Sequence, residues 1–138
     1  LATDEVGLSP ARSAEYTVTA SSENVASRFG SVDVAVVATA HLNWLLEGAS
    51  VRAVKDHLRP GDGGTVGTAL SVRHERAVPA RVDITAGARL AKMDGRRLVF
   101  EVEPRARGER VMSGRHERVI VDVERSWQKA KRERPDES

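Results

Sequence analysis

Three features of the sequence predict an α+β fold in which one long helix packs against a curled antiparallel sheet. Leu42, Leu45, Leu46, Ala49, Ala53 and Val54 recur at three- and four-residue steps, the period of a helix. Downstream, apolar and polar residues alternate, the period of a strand. Short turn sequences join the alternating runs, which makes them antiparallel neighbours. A helix and a sheet each with an apolar face bury those faces against one another in two layers.

Taken in order, residues 1–13 mix Gly7, Pro10 and charges and are expected to fray. Residues 14–20, AEYTVTA, alternate and read as a strand. Residues 21–33 are polar, with Gly30 and several serines, and read as a loop or a short lid-like helix. The helix is expected within 38–58, roughly 19 residues past a cap at Thr39 and ~28 Å long at about 1.5 Å per residue. Thr39 stands where an N-cap would, Asn43 lies in the first turns, and Arg59-Pro60-Gly61 ends the segment. With only Trp44 and Val51 off its main stripe, the helix is apolar over most of its girth, as a buried helix is. Gly48 in mid-helix costs about 1 kcal/mol against Ala, a cost usually explained by close approach of another backbone.

Gly61-Asp62-Gly63-Gly64 is a turn cluster. Over 65–76, Val66, Thr68, Leu70, Val72 and His74 alternate as one strand face, and Pro79 breaks the run. Val82, Ile84, Ala86, Ala88 and Leu90 mark a strand over 81–91, and Asp94-Gly95 is a hairpin turn. Leu98, Phe100 and Val102 mark a strand over 96–103, Arg107-Gly108-Glu109 turns the chain again, and 110–124 forms a long last strand. Residues 128–138, QKAKRERPDES, read as a solvated charged tail. A sheet wrapped round one long central helix is the hot-dog architecture, here in one domain over 1–138. Strands that follow the helix cover one side of it, so a second copy is expected to cover the rest, giving a homodimer.

The composition narrows function. The chain has 138 residues, 40% hydrophobic and 30% charged, as expected of a globular domain. No cysteine is present, which removes disulfides, thiolate metal sites and a cysteine nucleophile together. The net charge is only +2, and aromatics are 4% of residues (Tyr16, Phe29, Trp44, Phe100 and Trp127), so no platform for stacking bases exists and nucleic acid is not an expected partner. No apolar run approaches the roughly 20 residues of a membrane span, and no basic-then-apolar leader opens the chain. A cytoplasmic protein without a membrane partner is expected. Any histidine chemistry rests on His41, His57, His74 or His116. None forms a metal-binding pattern with glutamate, although His74 and His116 could meet across strands.

Four positions rise above this background. Glu47 sits among Leu45, Leu46, Gly48 and Ala49; a buried carboxylate is costly unless paired or protonated, whereas the plain reading has it facing water beside Asn43 and Arg52. His74 ends an apolar strand face, as a reactive histidine or a hydrogen-bonded half-core one. Thr39 at the helix start is a plain N-cap, or a hydroxyl beside free backbone N–H groups that favour anions. Gly67, in Gly64-Thr65-Val66-Gly67-Thr68, marks a bulge or a close backbone approach by a ligand. That string lacks the Gly-Lys-Ser/Thr of a phosphate-binding loop.

These residues also fall in a familiar order. Val37-Ala38-Thr39, Leu46-Glu47 and Val51-Arg52-Ala53 resemble the central helix of the fluoroacetyl-CoA thioesterase family. Pro60-Gly61-Asp62-Gly63, Gly67-Thr68-Ala69 and Val72-Arg73-His74 resemble the strand after it. Asp94-Gly95-Arg96-Arg97-Leu98 and Ser113-Gly114-Arg115-His116-Glu117-Arg118 resemble the later strands. The likeness runs over roughly residues 36–124. It implies a hot-dog fold and hydrolysis of short acyl-CoA thioesters by a dimer. It implies a catalytic trio at Thr39, Glu47 and His74, with Gly67 and Arg118 holding substrate. It implies no cofactor beyond the coenzyme A of the substrate. The family's fluoroacetyl enzyme has an aromatic gate before its threonine. Residues 31–38 here, SVDVAVVA, have no aromatic, so a related acyl-CoA or carrier-protein thioester is an equal expectation.

The chemistry suits such a site. A neutral His74 takes a proton near pH 7, Glu47 acts as base or attacks directly, and Thr39 supplies a nucleophilic or orienting hydroxyl. Backbone N–H at Gly67 or the helix start would hold the oxyanion. Arg118, with Arg115 near it, suits the phosphates of coenzyme A. Two other hot-dog roles remain open on the residues: a module that binds an acyl thioester without cleaving it, and a dehydratase. Thiol release separates both from a hydrolase.

Overall fold

The computed structural model describes residues 13–19, 25, 27, 36–58 and 63–133. Strand β1 (Ser13–Thr19) precedes helix α1 (Thr39–Val54), which runs into a 3-10 turn at Lys55–His57. Strands β2 (Gly64–His74), β3 (Asp83–Asp94), β4 (Arg97–Val102), β5 (Arg105–Ala106), β6 (Glu109–Arg110) and β7 (Met112–Val121) follow, then helix α2 (Val123–Arg132). The α+β arrangement of one long helix on an antiparallel sheet is the one the periodicity predicts. The expected fraying before Ser13, the loop or lid over 21–33, apart from Val25 and Ser27, and the Arg59-Pro60-Gly61 stop lie outside the described residues.

The seven strands form one antiparallel sheet. β3 carries β1 on one side; on the other, β4 and then β5 continue along the same edge, interrupted at Pro104. β7 pairs with β4, and β2 pairs with β7. At the β5–β6 hairpin both loop residues, Arg107 (φ 54°) and Gly108 (φ 77°), are left-handed, the geometry that matches the twist of the flanking strands.

α1 buries Leu42, Leu45, Leu46, Ala49, Ala53 and Val54 against Ile84, Ala86, Leu90, Leu98, Phe100 and Ile120. Burying such side chains contributes about 1.5–3 kcal/mol each, so this contact organises the domain. The helix is not buried all round. Thr39, Ala40, Trp44, Glu47 and Arg52 are exposed. It also ends earlier than Leu58, because the last turn tightens into the 3-10 form.

Two bulges set which residues face α1. The β2–β7 register shifts between Gly67 and Ala69, and the β3–β4 register between Leu90 and Lys92. One extra residue flips every side chain beyond it. Thr65 and Gly67 therefore share the helix-side face with Leu70, Val72 and His74, while Val66 moves to the outer face. The uninterrupted alternation expected for Val66 through His74 is corrected in this way.

β2 is an edge strand, paired with β7 on one side, and residues 66–71 are all exposed. The last strand stops at Val121. Residues 123–132, expected as strand end and tail, are helical because Asp122 Oδ1 accepts a hydrogen bond from the Arg125 N–H at 3.0 Å, an N-cap on a run without helix breakers.

Candidate active site

The first cluster forms where α1 begins beside the end of β2. Ala38, in extended conformation, is the N-cap and offers no side-chain cap. Thr39 is therefore the first helical residue and not the cap the sequence implied. Freed from that task, its Oγ1 lies 2.8 Å from His74 Nδ1. Among the described residues, the other ring nitrogen, Nε2, is buried without a partner, as are Oδ1 of Asn43, one helical turn past Thr39, and Nε2 of His41.

The second cluster lies two turns along α1, about 12 Å from Thr39 at ~1.5 Å per residue. Glu47 Oε1 is 3.5 Å from Arg118 Nη1 and 3.9 Å from His116 Nε2. Its side chain is 47% exposed, whereas that of Arg118 is 8% exposed. Glu47 is thus neither sunk in the core nor simply solvated, because it closes over a buried guanidinium. The exposure screens the pair, whose worth is about 1 kcal/mol or less.

Neutral acceptors satisfy most of that guanidinium. Arg118 Nε donates to Thr65 Oγ1 at 2.8 Å, and Nη2 to the Thr65 carbonyl at 3.0 Å. Nη1 lies 3.0 Å from His116 Nε2. His116 Nδ1 lies 3.0 Å from the Ala69 carbonyl, which can only accept, so Nδ1 carries the proton and Nε2 accepts from Arg118. His116 is therefore neutral. Burial first, and then the charge of Arg118, lowers its pKa below the ordinary 6.5.

Gly67 makes this convergence possible. A β-carbon there would lie 3.1 Å from Glu47 Oε1, 3.2 Å from His116 Cε1 and 3.3 Å from Arg118 Nη1. The bulge expected at Gly67 is present, and the groups crowding its α-carbon are protein side chains.

Within one chain the five singled-out residues thus form two groups, Thr39 with His74 and Glu47 with Gly67 and Arg118. Thr65, Asn43 and His116 complete the surroundings. His116 was legible as the residue two before Arg118 on the same strand face; Thr65 was hidden by the bulge. His74 and His116 do not meet, since the register pairs His74 with Met112 and Leu70 with His116. Among the described residues no group of three or more His, Asp or Glu is placed to hold a metal ion. Nor is any described helix long and apolar enough to cross a membrane. Two clefts of about 500 and 470 Å³ lie away from both clusters, one on the outer sheet face by Arg89, Arg105 and Arg115, the other by Glu75 and Val111.

Residues 20–124 match the profile of the fluoroacetyl-CoA-specific thioesterase family. A fluoroacetyl-CoA thioesterase of Streptantibioticus cattleyicolor is 36% identical over 100 residues, covering 72% of this chain and 71% of that one. A solved structure of a fluoroacetyl-CoA thioesterase superposes with a TM-score of 0.85 at 27% identity, over 94% of this chain and 99% of the other. A hot-dog-like protein from Thermanaerovibrio acidaminovorans shares the fold, with a TM-score of 0.84 at 16% identity over 96% of each chain. The fold is the hot-dog fold, and the chain belongs to the fluoroacetyl-CoA-specific thioesterase family, acyl-CoA thioesterases that hydrolyse a thioester bond.

Proposed function

We propose that this chain hydrolyses a short-chain acyl-CoA to the free acid and coenzyme A, with Thr39, His74 and Glu47 as catalytic residues and Gly67 and Arg118 binding substrate. The 2.8 Å contact between Thr39 Oγ1 and His74 Nδ1 carries this reading. A hydroxyl held on an imidazole nitrogen is an activated oxygen. As Thr39 oxygen bonds to the thioester carbon, its proton passes to His74 Nδ1. The C–S bond breaks and that proton goes to the departing thiolate. Water then attacks the ester carbon: Glu47 takes one of its protons, the bond to the Thr39 oxygen breaks, that proton returns to the Thr39 oxygen, and the acid leaves with the other proton. The N–H groups of Thr39 and Ala40, which helix geometry leaves without intrahelical partners ahead of the His41 N–H bonded to the Ala38 carbonyl at 3.0 Å, suit the oxyanion.

The active unit in this proposal is a homodimer of single-domain chains. Two observations support it. An exposed edge strand carrying Val66 (44% exposed) and Leu70 (37% exposed) is a surface that proteins cover. The two clusters are also too far apart in one chain to act on one thioester. Antiparallel pairing of β2 with its copy about Ser71, with Thr68 as the extra residue of the bulge, would set the partner subunit's Gly67 opposite His74. The partner subunit's Glu47 and Arg118 would then face Thr39.

Solved relatives of this family include a threonine-to-serine variant in complex with acetyl-CoA and a threonine-to-alanine variant with fluoroacetate. Short acyl groups are the corresponding proposal here, and no cofactor beyond the substrate's own coenzyme A is invoked. A cysteine-free chain acting on acyl-CoA suits the cytoplasm.

The test is thiol release from a panel of short acyl-CoAs and an acyl-carrier thioester, repeated with Thr39→Ala, Glu47→Ala and His74→Ala. Turnover that each variant reduces at least about a hundredfold is expected. No release from any substrate overturns the hydrolase proposal; full activity in all three variants overturns the site.

A further inference from the structure

His116 has no part in the chemistry described so far, yet it is buried with both ring nitrogens engaged. Nδ1 lies 3.0 Å from the Ala69 carbonyl and Nε2 lies 3.0 Å from Arg118 Nη1. Thr65 stands before the β2 bulge and Ala69 just after it. Gly67, between them, leaves the ring its space, since a β-carbon there would lie 3.2 Å from His116 Cε1. The guanidinium of Arg118 is thus held from both sides of the bulge, by Thr65 directly and by Ala69 through the imidazole.

This second hold works for a neutral ring only. The Ala69 carbonyl keeps the proton on Nδ1 and leaves the Nε2 lone pair for Arg118. An imidazolium carries N–H on both nitrogens, so Nε2–H would face the N–H of Nη1, two donors and two positive charges 3.0 Å apart. The nearby oxygen open to that new N–H is Glu47 Oε1, 3.9 Å away, the same atom that lies 3.5 Å from Arg118 Nη1. Among the described residues, the charged groups acting on the ring are Arg118 and Glu117 from β7 and Glu47 from α1. β2 and β4 set the uncharged Gly67, Leu70 and Phe100 against it. The homodimer proposed above adds the partner subunit's His74. Burial, and then the charge of Arg118, hold the pKa of the ring below the ordinary 6.5, so it is neutral at pH 7.5.

We infer that His116 is a positioning residue for Arg118: its Nε2 lone pair, turned to the guanidinium by the Nδ1–H bond to Ala69, holds Nη1 in place without cancelling its charge, and a proton on Nε2 undoes that hold and draws Glu47 towards the ring. The inference rests on the reading of Arg118 as a substrate-binding residue for its effect on turnover. The hold itself is a property of the resting protein.

The test has two arms. On the best acyl-CoA at pH 7.5, His116→Leu, which has no acceptor, is expected to raise KM about tenfold with kcat within about twofold. His116→Gln, whose amide serves both Ala69 and Arg118, is expected to keep KM within about twofold. As the pH falls from 7.5 to 5.5, KM of the unsubstituted enzyme rises, and that of His116→Gln rises by a smaller factor because an amide does not titrate. An unchanged KM in His116→Leu, or an equal rise in His116→Gln, overturns the positioning role. The second arm reads the resting protein by long-range ¹H–¹⁵N spectra of the full chain with ¹⁵N-labelled histidine, the His116 signals being assigned by their loss in His116→Gln. The Nδ1–H form is expected at pH 7.5, with its titration moved to higher pH in Arg118→Met, which lacks both the charge and the donor. An Nε2–H form, or a titration unmoved in Arg118→Met, overturns the proposal whether or not the protein turns over. Spectra as expected with no turnover of any acyl-CoA would uphold the hold on Arg118 and overturn the hydrolase reading instead.

Discussion

Gly67→Ala tests whether the Glu47 cluster is part of the reaction. The added methyl carbon would enter a cup 3.1 Å from Glu47 Oε1, 3.2 Å from His116 Cε1 and 3.3 Å from Arg118 Nη1. Ordinary contact begins at 3.4 Å, so something must yield by a few tenths of an ångström. The ring of His116 is 3% exposed and hydrogen-bonded at both nitrogens, and Arg118 is tied twice to Thr65. Glu47, 47% exposed, is the group that moves. Its displacement should cost little stability. The strain is offset by the ~0.4–1 kcal/mol that Ala gains over Gly by restricting the unfolded chain, so the thermal midpoint should stay within about 4 °C. Catalysis is less forgiving, because a 1 Å misplacement of a reacting group can cost about a hundredfold. A shift of a few tenths should lower kcat/KM about tenfold, ~1.4 kcal/mol in the barrier. Thiol-release kinetics and a thermal melt on one preparation check both halves. Unaltered kcat/KM in a folded variant would refute a reacting role for the Glu47 carboxylate. Loss of the folded state would refute the claim that Glu47 absorbs the strain.

Three further outcomes are expected. In the proposed homodimer, mixing the Thr39→Ala and Glu47→Ala variants under exchanging conditions should restore activity, because one site of the mixed dimer then receives an intact Thr39 from one chain and an intact Glu47 from the other; no recovery overturns the shared site. His116 and His41 both have pKa values lowered from 6.5 by burial, so the unfolded chain binds protons first and their stabilisation, full above about pH 6.5, declines as pH falls towards the lowered folded values. The thermal midpoint should therefore drop between pH 7.5 and 5.5, and drop less in His116→Gln, whose amide can serve both Ala69 and Arg118; an equal slope in that variant counts against the assignment. Phe100→Ala, at a fully buried ring paired across β4 with Leu90 and His116, should cost about 3–5 kcal/mol by denaturant titration, and a cost under ~1 kcal/mol would mean the core repacks freely.

Much of the fold is readable because its signals are periodic. Leu42 to Val54 keep helical steps and face the sheet, while Leu98, Phe100 and Val102 keep strand alternation and face the helix. What periodicity misses is a change of phase. The bulge beyond Gly67 moves Val66 outward and Thr65 inward, and no count of alternating residues locates which residue is extra. The last helix is hidden for a different reason: Val123 and Trp127 stay half exposed, and the charged residues between them mask the helical period. At the site, residue types were legible and their partnerships were not. The same Thr39 could cap a helix or face a histidine, and the choice depended on Ala38 adopting the extended N-cap conformation.

The charge arrangement of the Glu47 cluster follows from that phase change. An arginine buried beside a neutral histidine bears its full desolvation cost, seen in a pKa lowered chiefly by burial. Carboxylates packed all round it would neutralise the site. Instead Thr65 supplies its hydroxyl and its carbonyl, and His116 supplies a lone pair, so hydrogen bonds are satisfied while the positive charge is left uncancelled. Among the described residues the carboxylate in reach is Glu47, which is half in water and only weakly bound to Arg118. Arg118 is thereby fixed in place but free in charge, the condition under which, in the proposed reaction, a thioester oxygen or a product carboxylate arriving over Gly67 would gain most from it. A normal register through β2 would turn Thr65 away and leave the buried Arg118 without its Thr65 acceptors. The bulge that obscures the strand in the sequence is therefore what permits the charged end of the site to exist.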